Sequence, residues 1–130
     1  MDWQSTYRRL RRLVGKKLNS ITGRTDIRLL SITPDKYVVE TPRGLLPRPT
    51  TELRTVVKAM LLNRPIHVDS AIKGGGTSRS HPETVLAALP DVEWVRVNGR
   101  KHIVWKGKDS HKLGTLKGSG AENRKLKSTN

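Results

Sequence analysis

A chain of 130 residues and 14.6 kDa has room for one compact domain with tails, not for two full cores. Its formal charge of +15 self-repels in the compact state and favours polyanions, namely DNA, RNA or an anionic membrane surface. The absence of cysteine excludes disulfides and thiolate metal sites. No apolar run approaches the roughly 18–20 residues that span a bilayer, and no signal-peptide core follows the first residues, so the expected location is the cytoplasm and not a membrane.

Residues 1–25 predict a basic amphipathic helix. Trp3, Tyr7, Leu10, Val14 and Leu18 recur at spacings of four and three, while Arg8, Arg9, Arg12 and Lys16 fall elsewhere on the wheel. The apolar stripe docks on the domain or on a second copy, the latter making a homodimer; the basic side can lie along phosphates. Gly23 is the expected end of the segment.

Residues 26–48 predict a β-hairpin and a loop. Ile27–Ile32 and Tyr37–Thr41 are β-branched or apolar, and Thr33-Pro34-Asp35-Lys36 has turn chemistry with proline second. Pro42–Pro49, with three prolines, reads as loop. Leu53, Val56, Val57, Met60 and Leu61 then follow i, i+3, i+4, i+7, i+8, the clearest helical period of the chain. Thr50 or Thr51 is the expected cap and Asn63 suits the exit. Pro65–Val68 is a short extended piece, and Asp69 caps one or two turns before Gly74-Gly75-Gly76.

Ser78–Trp105 predicts a helix, a stop and a two-stranded ribbon. Ser80-His81-Pro82-Glu83 has capping-box spacing, and Val85, Leu86 and Leu89 give a small apolar face before Pro90-Asp91. Val92–Val97 and Arg100–Trp105 flank Asn98-Gly99, a two-residue type I′ hairpin signal with Arg100 and Lys101 at the tip. In that register Trp94 faces Ile103 and Val95 faces His102. Residues 107–130, rich in Gly, Ser and Lys with two widely spaced leucines, predict a disordered basic tail.

The order from residue 49 to 106 (helix, short strand, short helix, loop, helix, strand, wing, strand) resembles the winged helix-turn-helix superfamily, in the manner of small prokaryotic or phage DNA-binding proteins. The resemblance implies an α+β fold, a winged-helix core with an extra N-terminal helix and β-hairpin. It implies a recognition helix near 80–89 in the major groove, with Arg79, Ser80, His81 and Thr84 toward base edges. The wing at 92–105 would bring Arg96, Arg100 and Lys101 to phosphates or the minor groove, and Arg8, Arg9 and Arg12 would add phosphate contacts. The GGGTS loop is longer than the usual turn, which loosens the docking angle.

Catalysis finds little support. Lys73-Gly-Gly-Gly-Thr77 lacks the order of a nucleotide-binding phosphate loop, and it serves equally as linker or DNA-backbone contact. His67, His81, His102 and His111 have no metal-ligand spacing, and Asp91 and Glu93 read as a turn residue and a strand-face charge, so neither metal nor cofactor is expected. The expected function is non-catalytic binding of double-stranded DNA by a regulator or architectural factor located in the nucleoid or a host-cell cytoplasm. RNA or ribosome association, or a protein-interaction adaptor, are the alternatives.

Overall fold

The computed structural model describes residues 2–21, 23, 26–72 and 80–118. They form an α+β fold with two antiparallel sheets and four short helices. The first sheet is a meander, β1 (Lys17–Asn19), β2 (Asp26–Ile32), β3 (Lys36–Thr41) and β4 (Gly44–Pro49), in that spatial order. Helices α1 (Trp3–Arg11) and α2 (Thr50–Met60) precede and follow it. After α3 (Val68–Ile72) and α4 (Ser80–Ala87) comes the second sheet, β5 (Val92–Val97) and β6 (Arg100–Trp105).

The meander is apolar on one face. Leu18, Ile27, Leu29, Ile32, Tyr37 and Val39 are buried, whereas Arg28, Lys36 and Glu40 are exposed. A bulge at Leu30 makes this possible. Leu29 pairs with Val39 and Ser31 with Val38, so one extra residue on β2 moves the inward position from Ser31 to Ile32. The β2–β3 turn closes with Thr33 N–H donating to the Lys36 carbonyl at 2.8 Å, and Thr33 Oγ1 accepts from the N–H of Asp35 and Lys36.

Several boundaries differ from expectation. Helix α1 stops at Arg11 and the chain turns through Gly15, whose φ of +88° is left-handed and strained for other residues. Leu18 therefore continues the apolar stripe only by coincidence, from β1, and Val14 is exposed while Leu13 is buried. The stripe docks on this same chain, through Leu10 and Leu13. The expected loop at Pro42–Pro49 is largely β4. It is an edge strand, where Pro47 and Pro49 forfeit no ladder bond on the solvent side. Neither threonine caps α2, since Pro49 is the N-cap residue and Thr50 Oγ1 donates to the Thr33 carbonyl at 2.8 Å.

The ribbon follows expectation closely. Asn98 and Gly99 have φ of +54° and +80°, Trp94 pairs with Ile103, and Val95 with His102. Ile66 makes an isolated antiparallel bridge to Ile103 beside the two-stranded ribbon, with both N–H···O bonds made at 2.8 and 3.0 Å.

Residues 107–118 correct the expectation of a disordered tail. Ser110 N–H donates to the Pro90 carbonyl, Gly114 N–H to Ala88, and Trp94 N–H to Lys117, at 2.8, 2.8 and 3.0 Å. His111 Nε2 lies 2.7 Å from the Val92 carbonyl, and Leu113 and Leu116 pack on the core. Satisfied backbone groups, rather than apolar area, hold this strap along β5. The rest of the expected tail lies outside the described residues. Gly118 ends the strap beneath Trp94, where an added Cβ would sit 2.7 Å from the indole. Gly118→Val should therefore displace the strap and destabilise the fold by about 1–3 kcal/mol. A urea midpoint unchanged from that of the parent would show that the strap contributes nothing.

Candidate nucleic-acid interface

Four buried acids organise the cations of this chain. Glu52, at the start of α2, receives Arg48 Nε and Nη2 from β4 at 2.5 and 2.9 Å, and also the Tyr37 hydroxyl from β3. Tyr37 and Arg48 are cross-strand partners, so the pleat presents both to the carboxylate. Burial first, and the Glu52 bond second, push the Tyr37 phenol far above its ordinary range and keep it protonated. Glu52 in turn holds the Arg48 guanidinium more firmly charged.

Asp91 has a comparable role at the other end of the molecule. It accepts from Arg9 Nη1 of α1 at 2.8 Å and from the Trp105 indole of β6 at 2.9 Å, joining the first helix to the base of the ribbon. Glu83 of α4 holds Lys101 at 3.3 Å, and Glu93 of β5 lies 3.9 Å from Lys117 of the strap. Asp91 lies in the turn and Glu93 on β5, as expected, and both are buried carboxylates with a structural role.

The candidate contact residues separate into three groups. Arg8, Arg12, Arg96 and Arg100 are exposed, with no acidic partner among the described residues. Arg9 and Lys101 turn inward onto Asp91 and Glu83, which removes them from the phosphate contacts expected of them. Thr84 is 2% exposed and cannot approach a base edge, because α4 is enclosed: every residue from Pro82 to Leu89 is buried. Helices α2 and α3 and strands β1 and β5 pack around it, and the strap reaches its C-terminal end at Ala88. A recognition helix needs an exposed face, and α4 has none over these residues. Arg79 and the side chain of Ser80 lie outside the described residues, as does the Lys73–Thr77 loop.

His81, expected to face bases, instead sits half-buried beside Arg48 and Glu52, with Nδ1 buried and unpartnered. Two residues far apart in sequence, His67 and His102, have ring centroids 5.3 Å apart. Their Nδ1 atoms already bond Ser70 Oγ and the Arg100 carbonyl. Among the described residues no three His, Asp or Glu side chains gather as a metal site.

Exposed cations that sequence spacing did not single out complete the surface. Arg11 joins Arg8 and Arg12 on α1, and Lys108 and Lys112 lie on the strap. Because Arg9 and Trp105 meet on Asp91, the basic side of α1 and the base of the ribbon adjoin one another. No described helix is long and apolar enough to cross a membrane. Comparison with known proteins matches no family model, no curated protein and no solved structure.

Two measurements probe this organisation. Glu52→Gln leaves the Arg48 charge buried and uncompensated, and should cost roughly 3–5 kcal/mol, whereas Tyr37→Phe should cost about 1 kcal/mol. Equal costs in denaturant titrations would contradict the ranking. For His81, burial first and the Arg48 charge second lower the pKa below the ordinary 6.5, against a smaller opposing pull from Glu52. The folded state prefers the neutral ring. Its contribution to stability is therefore complete above the unfolded pKa and is lost as pH falls below about 6.5. His81→Gln should flatten that acid limb of the stability profile, and an unaltered slope would place its origin elsewhere.

Proposed function

We propose that this protein binds duplex nucleic acid, principally double-stranded DNA, as a non-catalytic architectural or regulatory factor. The observation that carries this reading is the segregation of charge. Asp26, Glu40, Glu52, Glu83, Asp91 and Glu93 each hold a lysine or arginine. Arg8, Arg11, Arg12, Lys16, Arg96, Arg100, Lys108 and Lys112 are exposed and have no acidic partner among the described residues. Such a surface is repelled by itself and neutralised by phosphates.

The order α2, Ile66, α3, α4, β5, β6 supports a winged helix-turn-helix core, and the isolated Ile66–Ile103 bridge stands where such a core has its first strand. The ribbon then serves as the wing, with Arg96 and Arg100 at its tip and the base of the wing fixed by Asp91 and the strap. With α4 enclosed, contacts from α1 and the wing fall mainly on the backbone, so affinity exceeds sequence discrimination. RNA is the second reading. The same unpaired cations favour it, and duplex DNA and structured RNA of equal length compared at matched salt separate the two.

Six to ten phosphate contacts would lower affinity by about 10³–10⁵ between 50 and 200 mM salt. Replacing Arg8 and Arg12 by alanine, or Arg96 and Arg100, should weaken binding to all sequences alike. Each replaced side chain should also reduce the salt slope by about one. Binding that hardly responds to salt, or a double variant that binds as the parent does, would defeat the proposal. A variant that loses affinity for one sequence only would instead require base reading by these arginines.

A further inference from the structure

We infer that the pocket between α1 and the start of α2 is a nucleotide site, taking one unpaired nucleobase together with its phosphate. The pocket has a volume of about 220 Å³ and lies between the aromatic side of α1, the β2–β3 turn and the first turn of α2. This is space for a single planar ring system rather than for the larger ligands that fill typical pockets of about 300–1,000 Å³.

The walls divide into a stacking side and an anion side. Trp3 and Tyr7 form the first, half-buried, with ring centroids 6.0 Å apart. Tyr7 is fixed from beneath by its hydroxyl, which donates to the Ile32 carbonyl at 3.4 Å. Pro34, in the turn, adds a further apolar surface. Half-exposed aromatic rings over an open pocket are a platform on which any base can stack, independent of its sequence.

Arg54 and Thr51 form the anion side, and both are exposed. Among the described residues Arg54 carries the one charge in the lining, and it has no acidic partner there. Among the described residues no carboxylate lines the pocket, which favours an anion over a cation there. Thr50 donates its hydroxyl to Thr33, away from the helix end, and no side chain caps α2. The Thr50 N–H is taken by the Asp35 carbonyl at 3.1 Å, so what the start of α2 adds to Arg54 is the positive end of its dipole. Aromatic stacking and a guanidinium within one small cavity match a base and its phosphate, and neither a plain sugar nor an aliphatic acid uses both sides.

The ligand has two sources, a free nucleoside monophosphate or an unpaired nucleotide at the end of a strand. The second rests on the nucleic-acid reading above; the first does not. The full chain is titrated with each of the four nucleoside 5′-monophosphates, with inorganic phosphate and with an uncharged nucleoside, following the indole N–H resonances by NMR. Saturable binding of the monophosphates is expected, with the Trp3 resonance shifting most. Trp3→Leu and Arg54→Gln should each weaken it about tenfold. Thermal melting of both variants confirms that they remain folded. Inorganic phosphate binding as tightly as the nucleotides would overturn the inference, as would no saturable binding by any monophosphate and by a one-nucleotide overhang alike.

A duplex with a one-nucleotide overhang is compared with a blunt duplex in parallel. A preference for the overhang in the parent that vanishes in Trp3→Leu identifies the strand end as the source. Equal binding of the two duplexes with nucleotide binding intact identifies the free nucleotide. Failure of the blunt duplex to bind at all counts against the duplex reading while leaving the pocket to be judged by the monophosphates.

Discussion

The buried carboxylate of Glu52 is the point on which the two halves of the molecule depend. It belongs to α2, yet its partners Tyr37 and Arg48 are neighbours on β3 and β4, so a single group fastens the meander to the helix that begins the second half. A carboxylate placed there without partners would cost several kcal/mol in lost solvation. Three donated hydrogen bonds and one opposite charge offset that cost, and they also fix the register of the β3–β4 edge. The edge strand is paired on one side only, with β3, so this side-chain anchor adds to the ladder a tie to α2. His81 reaches the same cluster from α4 and inherits its electrostatics.

Charge and fold are linked throughout by the same device. An excess of cations opposes compaction, and the acids available to counter it are few. The fold places four of them inside, where a buried ion pair is screened less than it would be on the surface, and those of Glu83, Asp91 and Glu93 join elements distant in sequence. Arg9 and Asp91 are 82 residues apart. The cations left outside then form the surface, which makes the basic face a consequence of how the interior is held together.

Local signals account for what was legible before the structure. The i, i+3, i+4 period of α2 and the Asn98-Gly99 turn are set by neighbouring residues, and both elements occur where the pattern puts them. Non-local features were not legible. Helix α1 and β1 share one apolar stripe, so periodicity alone could not see the break at Gly15. Strand β4 hides behind proline chemistry that an edge position tolerates. The strap at 107–118 has too few apolar residues to signal order, and its bonds run from backbone to backbone. In the candidate interface, exposed Arg8, Arg12, Arg96 and Arg100 were legible as charge. That Arg9 and Lys101 face inward depends on acids that only the tertiary fold brings near.

The enclosure of α4 has the widest functional consequence. Capping-box spacing and a three-residue apolar face describe a helix with one side in the core and one in solvent. Thr84 and Glu83 occupy what should be the solvent side, and both are buried. Glu83 is turned onto Lys101 of the ribbon, so the wing and the helix are fastened to one another. A helix closed in this way cannot also lie in a groove without breaking that pair and shedding its cover. Under the proposed function, recognition would fall to groups on the outside: the ribbon tip, the basic side of α1 and, beside α1, the aromatic pocket. Salt then acts on the two properties in opposite directions. It relieves self-repulsion in the folded chain, whereas the proposed contacts to phosphate would weaken and the proposed stacking in the pocket would be insulated from both.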